Sequence, residues 1–138
     1  MSAAFSYARE LYGRDRSREE GAIAYITALI ETDRRAEAAG MIENRLNGMA
    51  GGALKSRYYY LRSLTRNNDE TKMGDLRSSL YEDPRNLDAL IASFETYHRR
   101  GDERRALYYL KQAVAAAPGN SRLRRYEAEY GAALDGAF

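Results

Sequence analysis

The chain's two prolines, Pro84 and Pro118, stand 34 residues apart in similar settings: Asp83-Pro84-Arg85-Asn86 and Ala117-Pro118-Gly119-Asn120. One step of 34 further back lies Ala50, in the turn-like run Gly48-Met49-Ala50-Gly51-Gly52. Another step back lies Arg16, in Asp15-Arg16-Ser17-Arg18. Gly, Pro, Asn, Asp and Ser punctuate chains for distinct backbone reasons. Four such marks at one period constrain the fold more than any composition figure does.

Side chains repeat at the same step. One column reads Tyr12, Leu46, Leu80, Val114, and a second reads Ala8, Ile42, Leu76, Leu110. The two lie four residues apart, which is helical spacing. A third column, Ala4, Ala38, Lys72, Ala106, is broken only at Lys72, and a fourth reads Ile26, Tyr60, Phe94, Ala128. Lesser breaks fall between the major turns, at Glu31-Thr32-Asp33, Asn67-Asn68-Asp69 and Arg100-Gly101-Asp102. Each unit therefore reads as two helices of roughly 13 residues joined by a short turn. Neither helix can bury its apolar stripe alone, so the units must stack.

This period and unit resemble the tetratricopeptide repeat, and the best match is 87–120. Tyr97 resembles the family's first-helix tyrosine, and Gly101-Asp102 its turn between helices. Ala106, Leu110 and Ala113 resemble its tight-packing second-helix residues, and Pro118 its terminal proline. The unit 19–52 keeps Ala38 and Leu46 but has Ala50 in place of proline; the unit 53–86 is weakest, with Lys72 at an alanine site. Where the family often has a mid-helix glycine, this chain has Ile26, Tyr60 and Phe94. Where it often has a large aromatic one turn earlier, this chain has Ala22, Ser56 and Leu90, so large and small are swapped. The resemblance implies an all-α fold: a right-handed α-solenoid of stacked antiparallel helix pairs. The expected frame is a half-repeat helix in 1–18, repeats at 19–52, 53–86 and 87–120, and a closing helix and tail in 121–138, about eight helices in one domain. The closing helix is expected over Ser121 to Leu134, and it is either a natural cap or the cut edge of a longer array.

Composition narrows the function. Cysteine is absent and His98 is the one histidine, so neither a thiolate site nor a two-histidine metal site can be built. No apolar run approaches the roughly 18 residues of a membrane span, and Met1-Ser2-Ala3-Ala4-Phe5 lacks the pattern of a signal peptide. A catalytic base needs an orienting partner and a substrate site in reach, but the sequence offers His98 neither a nucleophile motif nor a second histidine, and it reads as a groove or surface residue. Glu82-Asp83 and Asp102-Glu103 fall at turns, where they suit the start of the following helix. Gly51-Gly52 lacks the flanking Lys-Ser/Thr of a phosphate loop and reads as a turn. No enzyme constellation and no cofactor requirement emerge.

Tetratricopeptide arrays line a concave groove with their first helices. Carrying those positions over gives three columns: Ile23, Arg57, Ile91, Arg125; Ala24, Tyr58, Ala92, Tyr126; and Thr27, Leu61, Glu95, Glu129. His98, Arg99 and Arg122 lie on the same side. Tyr58-Tyr59-Tyr60 spans about 200° of a helix, so at least one of the three must face groove or solvent. Tyr58 is placed in the groove, and Tyr60, sharing a column with Ile26 and Phe94, is expected to pack sideways. Arg104 and Arg105, interleaved with Asp102 and Glu103, read as a solvated face. The expected function is protein–protein interaction: a partner peptide or helix with apolar anchors and some acidic residues, held in this groove by a scaffold or chaperone-like adaptor. Net charge is only +2, with acidic residues among the Arg along the whole length, which disfavours nucleic acid as partner. The alternatives are an Arg-rich repeat binding RNA or phosphate groups, and a self-assembling scaffold. Weak self-association is expected through the N-terminal helix, which carries Phe5 and Tyr7.

Overall fold

A computed structural model describes residues 3–14 and 18–136. All regular structure among them is helical, in eight helices: α1 Ala3–Arg14, α2 Glu19–Glu31, α3 Arg35–Leu46, α4 Ala53–Ser63, α5 Asp69–Glu82, α6 Leu87–Arg99, α7 Glu103–Ala116 and α8 Arg124–Gly136. Each helix packs on its neighbours in sequence, and α2 also touches α4. Among the described residues, the turns fall where the 34-residue frame places them, and the first expected turn, at 15–18, lies largely outside them. The closing helix starts at Arg124 rather than Ser121, because 121–123 form a turn held by the Leu123 N–H on the Asn120 carbonyl.

The boundaries have local causes. Asn68, Asn86 and Asp102 cap α5, α6 and α7, their side chains accepting from the N–H groups of Thr71, Ala89 and Arg105. Asn86, not Glu82 or Asp83, caps α6: Glu82 ends α5 and accepts from the Gly52 N–H at 2.9 Å, and Asp83 accepts from the Arg85 N–H. Gly52 has φ 123° and ψ −160°, a region open essentially to glycine alone. This glycine-built turn stands where the later units carry proline.

Helices α2 and α6 end in the same device. At the end of α6, the Gly101 N–H reaches the His98 carbonyl and the Asp102 N–H reaches the Tyr97 carbonyl. Asp33 and Arg34 bond Ile30 and Leu29 in the same way at the end of α2. Both are Schellman closures, which need a left-handed residue just past the helix. Gly101 supplies it at φ 80°, and Asp33 supplies it at φ 61°. A Cβ at Gly101 would meet nothing within 4 Å, so only the backbone resists substitution. Gly101→Val is therefore expected to cost about 1–2 kcal/mol, while Asp33→Gly is neutral or stabilising by up to about 1 kcal/mol. Denaturant melts check the pair, and a shared sign would refute the assignment.

Of the predicted interior columns, the second is buried throughout, whereas the first, Tyr12, Leu46, Leu80 and Val114, is half-buried at every position, as is Lys72 in the third. Ala8, Ile42, Leu76 and Leu110 are all closed to solvent, as are Ala38 and Ala106; the side chain of Ala4 lies outside the described residues. In the fourth column Ile26 and Phe94 are buried, Tyr60 is half-buried and Ala128 is exposed. The apolar core forms two lobes: Ile26, Leu29, Ile42, Tyr58 and Leu61 among α1–α4, and Leu90, Ile91, Phe94, Leu110 and Leu123 among α6–α8. A small cluster of Met73, Leu76 and Ala89 joins them.

The α4–α5 contact is polar. The Ser56 hydroxyl donates to the Ser79 carbonyl at 2.7 Å, the Ser79 hydroxyl donates to the Ser56 carbonyl at 2.8 Å, and Asn86 Nδ2 donates to Ser56 Oγ at 2.9 Å. Nearby, buried Asp75 accepts from Arg62 at 2.9 Å and from Arg66 at 2.7 Å, so its charge is paired.

Candidate functional site

Helix α2 touches α4, and side chains link α8 to α6. Arg57 on α4 donates to Glu20 on α2, and Tyr126 on α8 donates to Glu95 on α6 at 2.9 Å. Between α2, α4 and the start of α6 lies a hollow of about 350 Å³. Helix α2 contributes Ile23, Thr27 and Ile30, spaced four and three apart so that they share one face. Arg57, Tyr60 and Leu61 of α4, with Leu64 just past its end, form the facing wall. Glu31, Asn86 and Asp88 complete the lining. The Thr27 hydroxyl is already bonded to the Ile23 carbonyl at 2.8 Å, so this wall offers few free donors.

Four of the expected groove residues, Ile23, Thr27, Arg57 and Leu61, meet in this hollow. Tyr58 does not: it is fully buried, and its hydroxyl donates to Glu19. Burial, reinforced by that bond, pushes its phenol well above the ordinary tyrosine value. Glu19 also receives Arg45 at 3.2 Å, so the phenol tip has a polar partner inside the stack and the side chain turns inward. Tyr60 packs sideways as expected, half-buried against the α1–α4 lobe and the Met73–Leu76–Ala89 cluster, and it also lines the hollow. Ile30 and Leu64 were not among the expected residues, although they extend the stripes of Ile23 and Arg57 by seven residues. Asn86 ends the unit 53–86 and Asp88 opens the next, and no stripe within one helix points to them.

The remaining expected residues form a second group near the C-terminal end. Ile91 is buried beneath the surface. Phe94 stacks on His98, with ring centroids 5.8 Å apart, and meets Tyr126 and Tyr130 edge-on at 4.8 and 5.7 Å. His98 Nδ1 lies 2.6 Å from a Glu103 carboxylate oxygen, and the Tyr130 hydroxyl lies 3.3 Å from the same ring. Glu95 takes the Tyr126 hydroxyl, and burial followed by that bond raises the Tyr126 phenol above its ordinary value. This arrangement ties α8 to α6 and leaves His98 occupied by neighbours.

The arginines of this side are largely committed. Arg57 lies 3.1 Å from Glu20, Arg122 lies 2.6 Å from Asp88, and Arg99 lies 2.6 Å from Asp69 at the start of α5. The hydrogen bond from Arg57 holds the Glu20 carboxyl below its ordinary value. Arg125 sits 5.9 Å over the Tyr126 ring. The face therefore presents an apolar hollow with a rim of paired charges rather than a field of open cations. Among the described residues, no group of three His, Asp or Glu side chains is arranged to hold a metal ion, and no helix is long and apolar enough to cross a membrane. In comparisons with protein-family models, curated proteins and solved structures, nothing matches the chain.

Proposed function

We propose that the chain is a tetratricopeptide-like protein-interaction module that holds a segment of a partner protein against the face formed by α2, α4 and α6. The hollow of about 350 Å³ with Ile23, Ile30, Tyr60, Leu61 and Leu64 in its walls carries this reading. A cavity of that size takes one or two large apolar side chains, and a polar rim sets their approach. The ion pairing of Arg57, Arg99 and Arg122 weighs against a phosphate-binding role for this face. The occupant is then an apolar anchor on a peptide or helix, with the acidic residues of secondary weight here. The self-assembly alternative turns on Phe5, whose side chain lies outside the described residues, while Tyr7 beside it is 64% exposed.

Panning a random peptide library on the immobilised chain tests the proposal. Enriched peptides should share apolar anchors and lose about tenfold in affinity to Thr27→Arg, which fills the hollow. Ile23→Glu should act likewise, with thermal melts confirming that both variants fold. Undiminished binding to both folded variants would remove the hollow as the binding site.

A further inference from the structure

Another face carries a second set of arginines. Helices α5 and α7 border a hollow of about 310 Å³ into which Arg77, Tyr97, Arg100 and Arg105 project. It shares Arg77 with a second hollow of about 300 Å³, lined by Leu80, Tyr81, Pro84, Tyr108 and Tyr109. A third hollow, with Arg104, shares Arg105 with the first and Tyr108 with the second. The three make one trough along the second helices, basic at the start of α5 and aromatic at its end.

Two observations set this trough apart. Among the described residues, neither Arg77 nor Arg100 has a carboxylate within ion-pair reach, in contrast to Arg57, Arg99 and Arg122. Asp102 is already engaged, accepting from the Arg105 N–H at 3.2 Å and lying 3.6 Å from its guanidinium. The Arg105 guanidinium rests 5.7 Å over the Tyr97 ring, which stacks on Tyr109 with centroids 5.6 Å apart and planes within 6°. A planar cation held on an aromatic shelf is pre-set for a carboxylate fork. The second observation is exposure. Of the three large apolar side chains left exposed among the described residues, Tyr81 at 85% and Tyr108 at 47% both stand on this trough.

We infer that the α5–α7 trough is a second docking surface, which takes an extended acidic peptide carrying an aromatic or large aliphatic residue. Charge complementarity chooses the occupant. Carboxylates of the peptide meet Arg77, Arg100 and Arg105, while its apolar residue packs between Tyr81, Pro84 and Tyr108. Glu70 and Asp102 in the basic wall repel a dense polyanion, which disfavours nucleic acid there. From Glu70 to Tyr81 the helix rises about 16 Å, the span of about five extended residues. This surface does not depend on the α2–α4–α6 hollow. It also reassigns the acidic preference, which the sequence placed in the groove, to the outer arginines.

A random peptide library panned on the full chain, with Thr27→Arg as the second bait, separates the two surfaces. Peptides that survive the Thr27→Arg substitution should be enriched in Asp or Glu together with an aromatic or Leu. Fluorescence anisotropy should show them losing about tenfold or more in affinity to the double variant Arg77→Glu/Arg100→Glu, and weakening as salt rises. Both positions are exposed, so thermal melts of that variant should match the parent. Tyr81→Ala should weaken the same peptides without touching any basic residue. The inference is overturned if the surviving peptides show no acidic enrichment, or if they bind the charge-reversed variant as well as the parent. It is also overturned if a single-stranded oligonucleotide displaces them as well as an unlabelled copy does, which would make the trough a polyanion site.

Discussion

Replacing Phe94 by alanine is expected to destabilise the fold by about 3–5 kcal/mol, the range for truncating a buried aromatic. Phe94 is 1% exposed, and three rings close on it: His98 from its own helix, Tyr126 and Tyr130 from α8. The substitution removes core volume and both aromatic contacts that hold the closing helix, each worth about 0.5–1.5 kcal/mol beyond area. The loss should therefore be uneven. Trypsin should cut at Arg124 and Arg125 before any other site in the variant, because α8 opens first. Phe94→Leu keeps most of the volume but not the ring geometry, and it should cost less than alanine while still loosening α8. A loss under about 1 kcal/mol in urea melts of Phe94→Ala, the average for any substitution, would remove Phe94 from this role.

Leu110→Ala is expected to cost about 2–5 kcal/mol. Leu110 is fully buried in the C-terminal lobe, packed with Ala106, Ala113 and Leu123. Tyr81→Ala, on the neighbouring second helix but exposed, should stay within about 0.5 kcal/mol of the parent. The contrast checks the repeat frame directly, because the frame places Leu110 in one column with Ile42 and Leu76. Urea melts giving equal costs at the two positions would show that the frame assigns the wrong face.

The frame was legible because it rests on backbone and volume. Turns need particular φ angles, and stacked helices need apolar stripes; both leave marks at fixed spacing, such as Gly101 and the Ile42–Leu76–Leu110 column. The unit 53–86 matched worst for a physical reason. Its helices are joined by Ser56, Ser79 and Asn86, and by Asp75 with Arg62 and Arg66, so the residues an apolar pattern looks for are absent. The site was legible only in part. Positions carried over from the tetratricopeptide resemblance included Ile23, Thr27, Arg57 and Leu61, which line one hollow. The inward turn of Tyr58 depends on Glu19, a residue 39 positions away on another helix. The pairing of Arg57, Arg99 and Arg122 likewise depends on carboxylates from other helices. Arg104 and Arg105 are exposed, as the interleaved acids implied, but that Asp102 is engaged as the cap of α7 shows only in three dimensions.

The serine seam between α4 and α5 has a consequence for shape. Apolar contacts are non-directional, so two stacked halves joined only by leucine and alanine can slide or tilt with little penalty. Hydroxyl-to-carbonyl bonds in both directions, Ser56 to Ser79 and back, admit one register and one separation. They act as a dowel between the two lobes. Asn86 joins that dowel to the groove, since its amide donates to Ser56 while its residue also lines the hollow. At this contact the fit of α5 against α4 is thus decided by hydrogen-bond geometry as well as by apolar packing.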